Sequence, residues 1–216
     1  MSKDNRNYDF TEGFSEIRNE YDIILNIIKE GSSVLDLGCG NGDLLYLLKK
    51  QKNIVDFGVE ISESGVLFCK GRGLNVIQGS IDKPLPFSDN QFDYSICNVT
   101  IQMLLYPEIL ISEMQRVSKE LIISFPNFAY FKNRLELLFF GRMPQKQLFG
   151  YNWYNTGHIH QFSLKDFIIF INESTNLKII EVHHLKTKNK IKNTLLFNFE
   201  NLFQQIPIVH LKKYGK

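Results

Sequence analysis

Between Ser32 and Lys50 the chain reads SSVLDLGCGNGDLLYLLKK, with glycines at 38, 40 and 42 between an apolar run and an amphipathic one. Branched and apolar residues at 33–37 predict a short buried strand, and Leu44, Leu45, Leu47 and Leu48 mark the inner side of a helix over 43–50. The glycines must then make the strand-to-helix turn, with backbone left bare for close approach of a ligand. A chain built around such a turn is constrained to an α/β architecture whose ligand sits at the carboxyl ends of the strands.

The remaining pattern extends that unit. Residues 15–29 place Ile17, Tyr21, Ile24, Leu25 and Ile28 at helical spacing, with Gly31 as the left-handed stop. Strands are expected at 55–60, 74–79, 92–99 and 120–125, with Ser62 capping one helix and Pro107 opening another. Alternation of this kind predicts a mostly parallel sheet with helices on both faces. The aromatic stretch 128–162 breaks the rhythm and is expected to form an irregular cap or lid. Ser163 and Asp166 form an S-x-x-D capping pattern for a further helix, and strands at 177–185 and 206–213 bring the sheet to seven. The basic segment 186–193 is expected to be a solvated connection.

Composition narrows the function classes. The 216 residues are 44% hydrophobic, enough for one well-buried domain over 1–216, with residues 1–20 as an N-terminal extension. The balance of 25 basic against 23 acidic side chains disfavours a nucleic-acid surface. No apolar run approaches the ~20 residues of a membrane span, and the three cysteines, Cys39, Cys69 and Cys97, suit neither a disulfide framework nor a zinc site. A cytoplasmic protein with no membrane or nucleic-acid partner is expected.

The glycine run departs from the dinucleotide fingerprint, because Asp43 stands where the later glycine belongs. A carboxylate at the helix N-terminus would also repel a diphosphate. A ligand without phosphate fits better. Asp36, two residues before Gly38, can face a cationic group of that ligand. Glu60 ends the second strand, where an acid accepts hydrogen bonds from both ribose hydroxyls. After the third strand, Ser80 and Ile81 can meet an adenine edge. These features together describe a nucleoside carrying an amino acid.

The ordered set Asp36, Gly38, Gly40, Gly42 and Glu60, followed by LPFSDNQFD before the fourth strand, resembles class I S-adenosylmethionine-dependent methyltransferases, which have a Rossmann-like fold. The resemblance implies S-adenosylmethionine as cofactor, S-adenosylhomocysteine as product, and a cofactor site that also takes in Ile61 and Asn98. Many members carry Asp where this chain has Ser80, so adenine contact there would fall to the backbone. Longer stretches resemble the MetW family of methionine-biosynthesis proteins, above all SFPNFAYFKNRLELLFFGRMP (124–144) and YNWYNTGHIHQFSLKDF (151–167). That likeness runs from about Asp22 to Lys213 and implies a role beside homoserine O-acyltransferase, as enzyme or as partner subunit.

Methyl transfer is an in-line displacement in which alignment supplies much of the catalysis, and a base matters when the acceptor must lose a proton. His158 and His160 are the best acid/base candidates, though a satisfied structural histidine is the commoner role for either one. Gln102 and Tyr106 follow the fourth strand and can either approach the methyl group or stand as helix-entry residues facing water. Asn127 either lines the acceptor side or forms a turn after Pro126. Cys97-Asn98-Val99-Thr100 lacks the N-P-P-Y clamp of enzymes that methylate base or side-chain amides, which disfavours that acceptor class; a small-molecule acceptor is expected. No metal site is expected, since H-x-H at 158–160 has no third ligand of suitable spacing. The apolar run from Phe128 to Phe140 admits three readings: core, substrate lid or docking face.

Overall fold

The computed structural model describes residues 9–10, 18–144, 152–184 and 199–214. Its strands are β1 (Ser33–Leu37), β2 (Val55–Glu60), β3 (Val76–Gln78), β4 (Phe92–Asn98), β5 (Ser118–Ser124), β6 (Leu177–His183) and β7 (Ile208–Lys213). The helices are α1 (Tyr21–Ile27), α2 (Asp43–Lys52), α3 (Glu63–Gly71), α4 (Pro107–Val117), α5 (Phe131–Phe140), α6 (Leu164–Ser174) and the single turn α7 (Glu200–Phe203). The expected strands and helices are present, most with ends shifted by one or two residues, but the first helix, expected across 15–29, begins only at Tyr21 after a turn at 19–20. Segment 186–193 and residues 11–17 lie outside the described residues.

The sheet order is β3-β2-β1-β4-β5-β7-β6. Neighbours from β3 to β5 are parallel, whereas β7 runs antiparallel to both β5 and β6. Strand periodicity sends alternate side chains to opposite faces, so a strand covered on both sides must be apolar throughout. In β1, Val34 joins the cluster under α1, α2 and α3 with Ile24, Leu45 and Ile96. Leu35 and Leu37 instead join Phe92, Met114, Ile123 and Phe125 under α4 and α6. Asp36 therefore shares the face of Val34, and it is buried there at the strand's carboxyl end.

Two polar devices fix the surrounding connections. Arg116 of α4 pairs with Glu113 and donates to the carbonyls of Leu85 and Phe87, which ties down the turn before β4. Ser163 Oγ accepts from Asp166 N (3.1 Å) while Ser163 N donates to the Asp166 carboxylate (2.9 Å), the reciprocal cap expected for α6. No helix among the described residues is long and apolar enough to cross a membrane.

The segment 128–162 departs from expectation. Instead of irregular structure throughout, it contains the ten-residue α5, ended by Gly141 at φ 58°. Nor does its aromatic stretch pack as core. Leu138, Phe139 and Phe140 are 74%, 70% and 69% exposed, while Asn133 is the helix's buried residue. The aromatic core of this region comes instead from Phe125, Phe162 and Phe167, with ring centroids 4.6–6.3 Å apart.

Replacing Ser163 by Ala removes one side of the α6 cap and should lower stability by about 1 kcal/mol. Urea unfolding should show a lower midpoint at an unchanged slope.

Candidate functional site

The site is built on the carboxyl ends of β1, β2 and β4. Gly38, Gly40 and Gly42 all take left-handed φ, 78°, 57° and 74°, a conformation that L-residues with a Cβ rarely adopt. Two of them are also needed for space. A Cβ on Gly38 would lie 2.7 Å from Thr100 Cγ2, and one on Gly42 would meet Leu74 and Cys69 at 2.6 and 2.7 Å.

Glu60 holds this loop from the neighbouring strand. Its Oε2 accepts from Gly40 N (2.8 Å) and its Oε1 from Ser62 N (2.9 Å). A carboxylate oxygen has two acceptor sites, so each oxygen retains one for a further donor such as a ribose hydroxyl. Four other amides of the loop are also donated. Gly38 N and Cys39 N donate to Val59 O, Gly42 N to Cys39 O, and Asp43 N to Asn41 Oδ1.

That arrangement corrects the sequence argument against phosphate. Asp43 is buried and paired with Arg72 at 2.6 Å, and the guanidinium lies 4.3 Å over the Tyr46 ring, so its charge is offset rather than left to repel an anion. Phosphate is disfavoured for a different reason. A phosphate cradle needs free backbone N–H groups, and five of those in this loop are already donated.

Asp36 is 3% exposed beside the loop, and its pKa is pushed up to about 7 by burial first and by the Glu60 charge second, partly offset by Arg18. A buried acid in that state is poised to ionise when a cation arrives. The residue set therefore fits an aminoacyl nucleoside: an acid for an ammonium, an acid with spare acceptors for a ribose, and glycine backbone between them.

Ile61 is exposed at the end of β2, while Ile81 is buried with Leu85 and Val59 in the core. Ser80 donates to Asp82, whose other oxygen accepts from Leu105 N at 3.3 Å. Asp82, which the sequence reading passed over, thereby joins the β3 loop to the turn after β4.

Phe10 was missed too. The sequence reading named no site residue in the N-terminal extension; in the structure a methyl group on Gly40 would lie 3.5 Å from the Phe10 ring, and Phe10 N donates to Ser64 Oγ. No local pattern around Phe10 marks it, since the contact spans more than fifty residues of chain.

At the end of β4, Asn98 Oδ1 accepts from Ser124 Oγ at 2.6 Å. Val99 adopts φ 51°, an outlier for a β-branched residue. The strain is held by Ser124, which accepts from Val99 N through both O and Oγ, and by Gln102 Nε2, which donates to Val99 O. The Gln102 carbonyl in turn accepts from Ile159 N and His160 N (2.9 and 3.0 Å), which docks the cap onto the β4 turn.

Structure thus brings Asp36, the three glycines, Glu60 and Asn98 together, and joins Gln102 to His160. The Asn127 side chain is committed to other partners. The Asn127 amide is fully engaged, donating to the carbonyls of Asn201 and Gln204 and accepting from Ala129 N and Leu164 N. Of its two sequence readings, these contacts describe the turn. His158 N donates to Thr156 Oγ1 within the cap, and Tyr106 is exposed. A cleft of about 410 Å³ lies at the opposite end of the sheet, beside Ser32, Asp93 and Lys119, away from the glycine loop.

Known proteins match this architecture. A Staphylococcus carnosus demethylmenaquinone methyltransferase is 29% identical over 145 residues, 58% of this chain and 60% of its own. Among solved structures, a SAM-dependent methyltransferase of Thermotoga maritima, described as a possible histamine N-methyltransferase, superposes with a TM-score of 0.62. It is 19% identical, with 91% of this chain and 88% of that one covered. The "Bifunctional methionine biosynthesis protein MetXA/MetW" of Rhodopirellula baltica is 42% identical over 143 residues, 62% of this chain. That match spans 23% of the relative's length. The family model described as "Methionine biosynthesis protein MetW" matches residues 18–211. The chain belongs to the MetW family, with the Rossmann-like fold of class I methyltransferases.

Proposed function

We propose that this chain binds S-adenosylmethionine at the glycine loop and transfers its methyl group to a small-molecule acceptor beneath the cap. The observation that carries the reading is the Glu60 carboxylate, which fixes the loop amides and keeps spare acceptors beside the buried Asp36. When bound, the cofactor supplies an electrophilic methyl group. The chain's own part is to orient it: Asp36 faces the ammonium, Glu60 the ribose, and Ile61 with the backbone at Ser80 and Ile81 the base. Closure of the cap on Gln102 keeps water from the space above β4.

A second reading, with this chain as partner subunit of a homoserine O-acyltransferase, draws support from the exposed Leu138, Phe139 and Phe140 on α5, beside Arg142. An apolar patch rimmed by charge is what a docking face looks like. The relative named MetXA/MetW is consistent with such proximity.

Calorimetric titration with S-adenosylhomocysteine tests the first reading. Glu60→Ala should weaken binding at least about tenfold, or 1.4 kcal/mol, and should also lower the melting temperature, because two buried N–H groups lose their acceptor. Unchanged affinity refutes the ribose assignment.

The Asp36 carboxyl gives a pH dependence with a definite sign. Its folded pKa of about 7 exceeds the ordinary 3.8, so the ligand-free protein loses stability as pH rises from about 4 to 7. A ligand ammonium favours the ionised form, so affinity should climb with pH up to about 7, by no more than about tenfold per unit, and level off above it. Asp36→Asn should flatten the profile.

For the partner reading, Phe139→Ser with Phe140→Ser should abolish co-migration with the acyltransferase while leaving S-adenosylhomocysteine affinity intact. Unfolding of that variant would contradict the exposed placement of α5.

A further inference from the structure

Phe10 is half-buried, yet among the described residues it stands in neither apolar cluster of the core. Its ring lies instead against two glycines of the ligand-binding end. A Cβ on Gly40 would lie 3.5 Å from Phe10 Cζ and 3.6 Å from Cε1. A Cβ on Gly65, in the first turn of α3, would lie 3.1 Å from Phe10 Cδ2. Both positions must therefore stay small for the ring to reach the backbone.

Glu60 borders the same space. The Gly65 Cβ position that lies 3.1 Å from Phe10 Cδ2 also lies 3.1 Å from Glu60 Cγ and 2.9 Å from Gly40 O. The ring, the stem of the acid and the loop carbonyl thus surround a gap of one methyl group.

The main chain at Phe10 is tied to that acid as well. Phe10 N donates to Ser64 Oγ (3.1 Å), the hydroxyls of Ser64 and Ser62 share a hydrogen bond (2.9 Å), and Ser62 N donates to Glu60 Oε1 (2.9 Å). Ser62 Oγ also caps α3 by accepting from Gly65 N at 3.3 Å. Ring and backbone of one residue therefore converge on Glu60 from two sides.

Glycine offers a ring only backbone to rest on, so these contacts bury less apolar area than a place in either core cluster would. Their consequence falls on the carboxylate. An apolar ring beside Glu60 takes the place of water, and the acid is 4% exposed. A hydrogen bond made in such dry surroundings is stronger than one made in water, and leaving it unmade costs more.

We propose that Phe10 is a positioning residue of the nucleoside site: its ring walls off Glu60 from water, strengthens the bonds from Glu60 to the ribose hydroxyls, and so sets selectivity for a ligand with an intact cis-diol. This role rests on Glu60 as the ribose acceptor. It acts through Glu60 and requires no contact between the ring and the ligand.

The test uses the full chain and two ligands, S-adenosylhomocysteine and its 2′-deoxyribose analogue, with affinities from calorimetry and release rates from stopped-flow fluorescence. Phe10→Ala should weaken S-adenosylhomocysteine binding at least about tenfold, chiefly through faster release. The preference for the ribose over the 2′-deoxyribose ligand should also shrink in this variant, by at least about threefold, because the hydroxyl bond is then made in water. Phe10→Leu keeps an apolar cover and should retain most of both. Ser64→Ala removes the acceptor of Phe10 N and should move affinity in the same direction by less. A Phe10→Ala variant with a lower melting temperature but an unchanged release rate and ribose preference overturns the proposal, since that is the result of a purely structural anchor. So does a loss of affinity that is equal for the two ligands. Absence of S-adenosylhomocysteine binding to the unaltered chain would remove the cofactor reading and this role with it, whereas equal binding by the unaltered chain and Phe10→Ala would remove the role alone.

Discussion

The carboxylate of Glu60 is the interaction on which the ligand-binding end of this protein depends. It lies at the end of β2 and accepts backbone N–H groups from two connections at once, Gly40 after β1 and Ser62 before α3. Charge-assisted bonds of this kind are stronger than neutral ones, and burial keeps them from being exchanged for water. Without that acceptor, two donors would be stranded inside, and the left-handed turns at Gly38, Gly40 and Gly42 would lose the brace that defines their shape.

Three further features gather around this brace. Phe10 lies across Gly40 and beside Gly65, Arg72 neutralises Asp43 at the start of α2, and Asp36 stays buried next to the Glu60 charge. The last of these explains why an acid can be kept so far inside. Proximity to another carboxylate and loss of water both favour its neutral form, until a cation offsets the charge. Structural economy and ligand recognition therefore use the same two side chains.

Across the sheet, the contrast is between polar groups that are satisfied and polar groups that are not. Asn127, Ser124 and Arg116 use their capacity on backbone carbonyls and amides, and they hold loops in place. Gln102 is split: its side-chain amide N–H braces the strained Val99 while its side-chain oxygen, Oε1, is left over. Sequence reading ranked Asn127 and Gln102 together as acceptor-side candidates. It had no means of separating them, because both are short-range polar residues following a strand, and their difference lies in partners as distant as Asn201 and Gln204.

Local periodicity and turn chemistry were enough to place seven strands, to recognise the glycine loop and the acid ending β2, and to cap α6 at Ser163, because each of these is decided within a few residues of chain. Tertiary structure alone decided what depends on long-range contact. It set β7 antiparallel between β5 and β6, turned the apolar end of α5 outward, brought Phe10 to Gly40, and matched Arg72 to Asp43. An apolar run has the same periodicity whether another surface covers it or not, and a carboxylate carries the same charge whether or not a guanidinium lies beside it. Only the folded chain shows which neighbour is there.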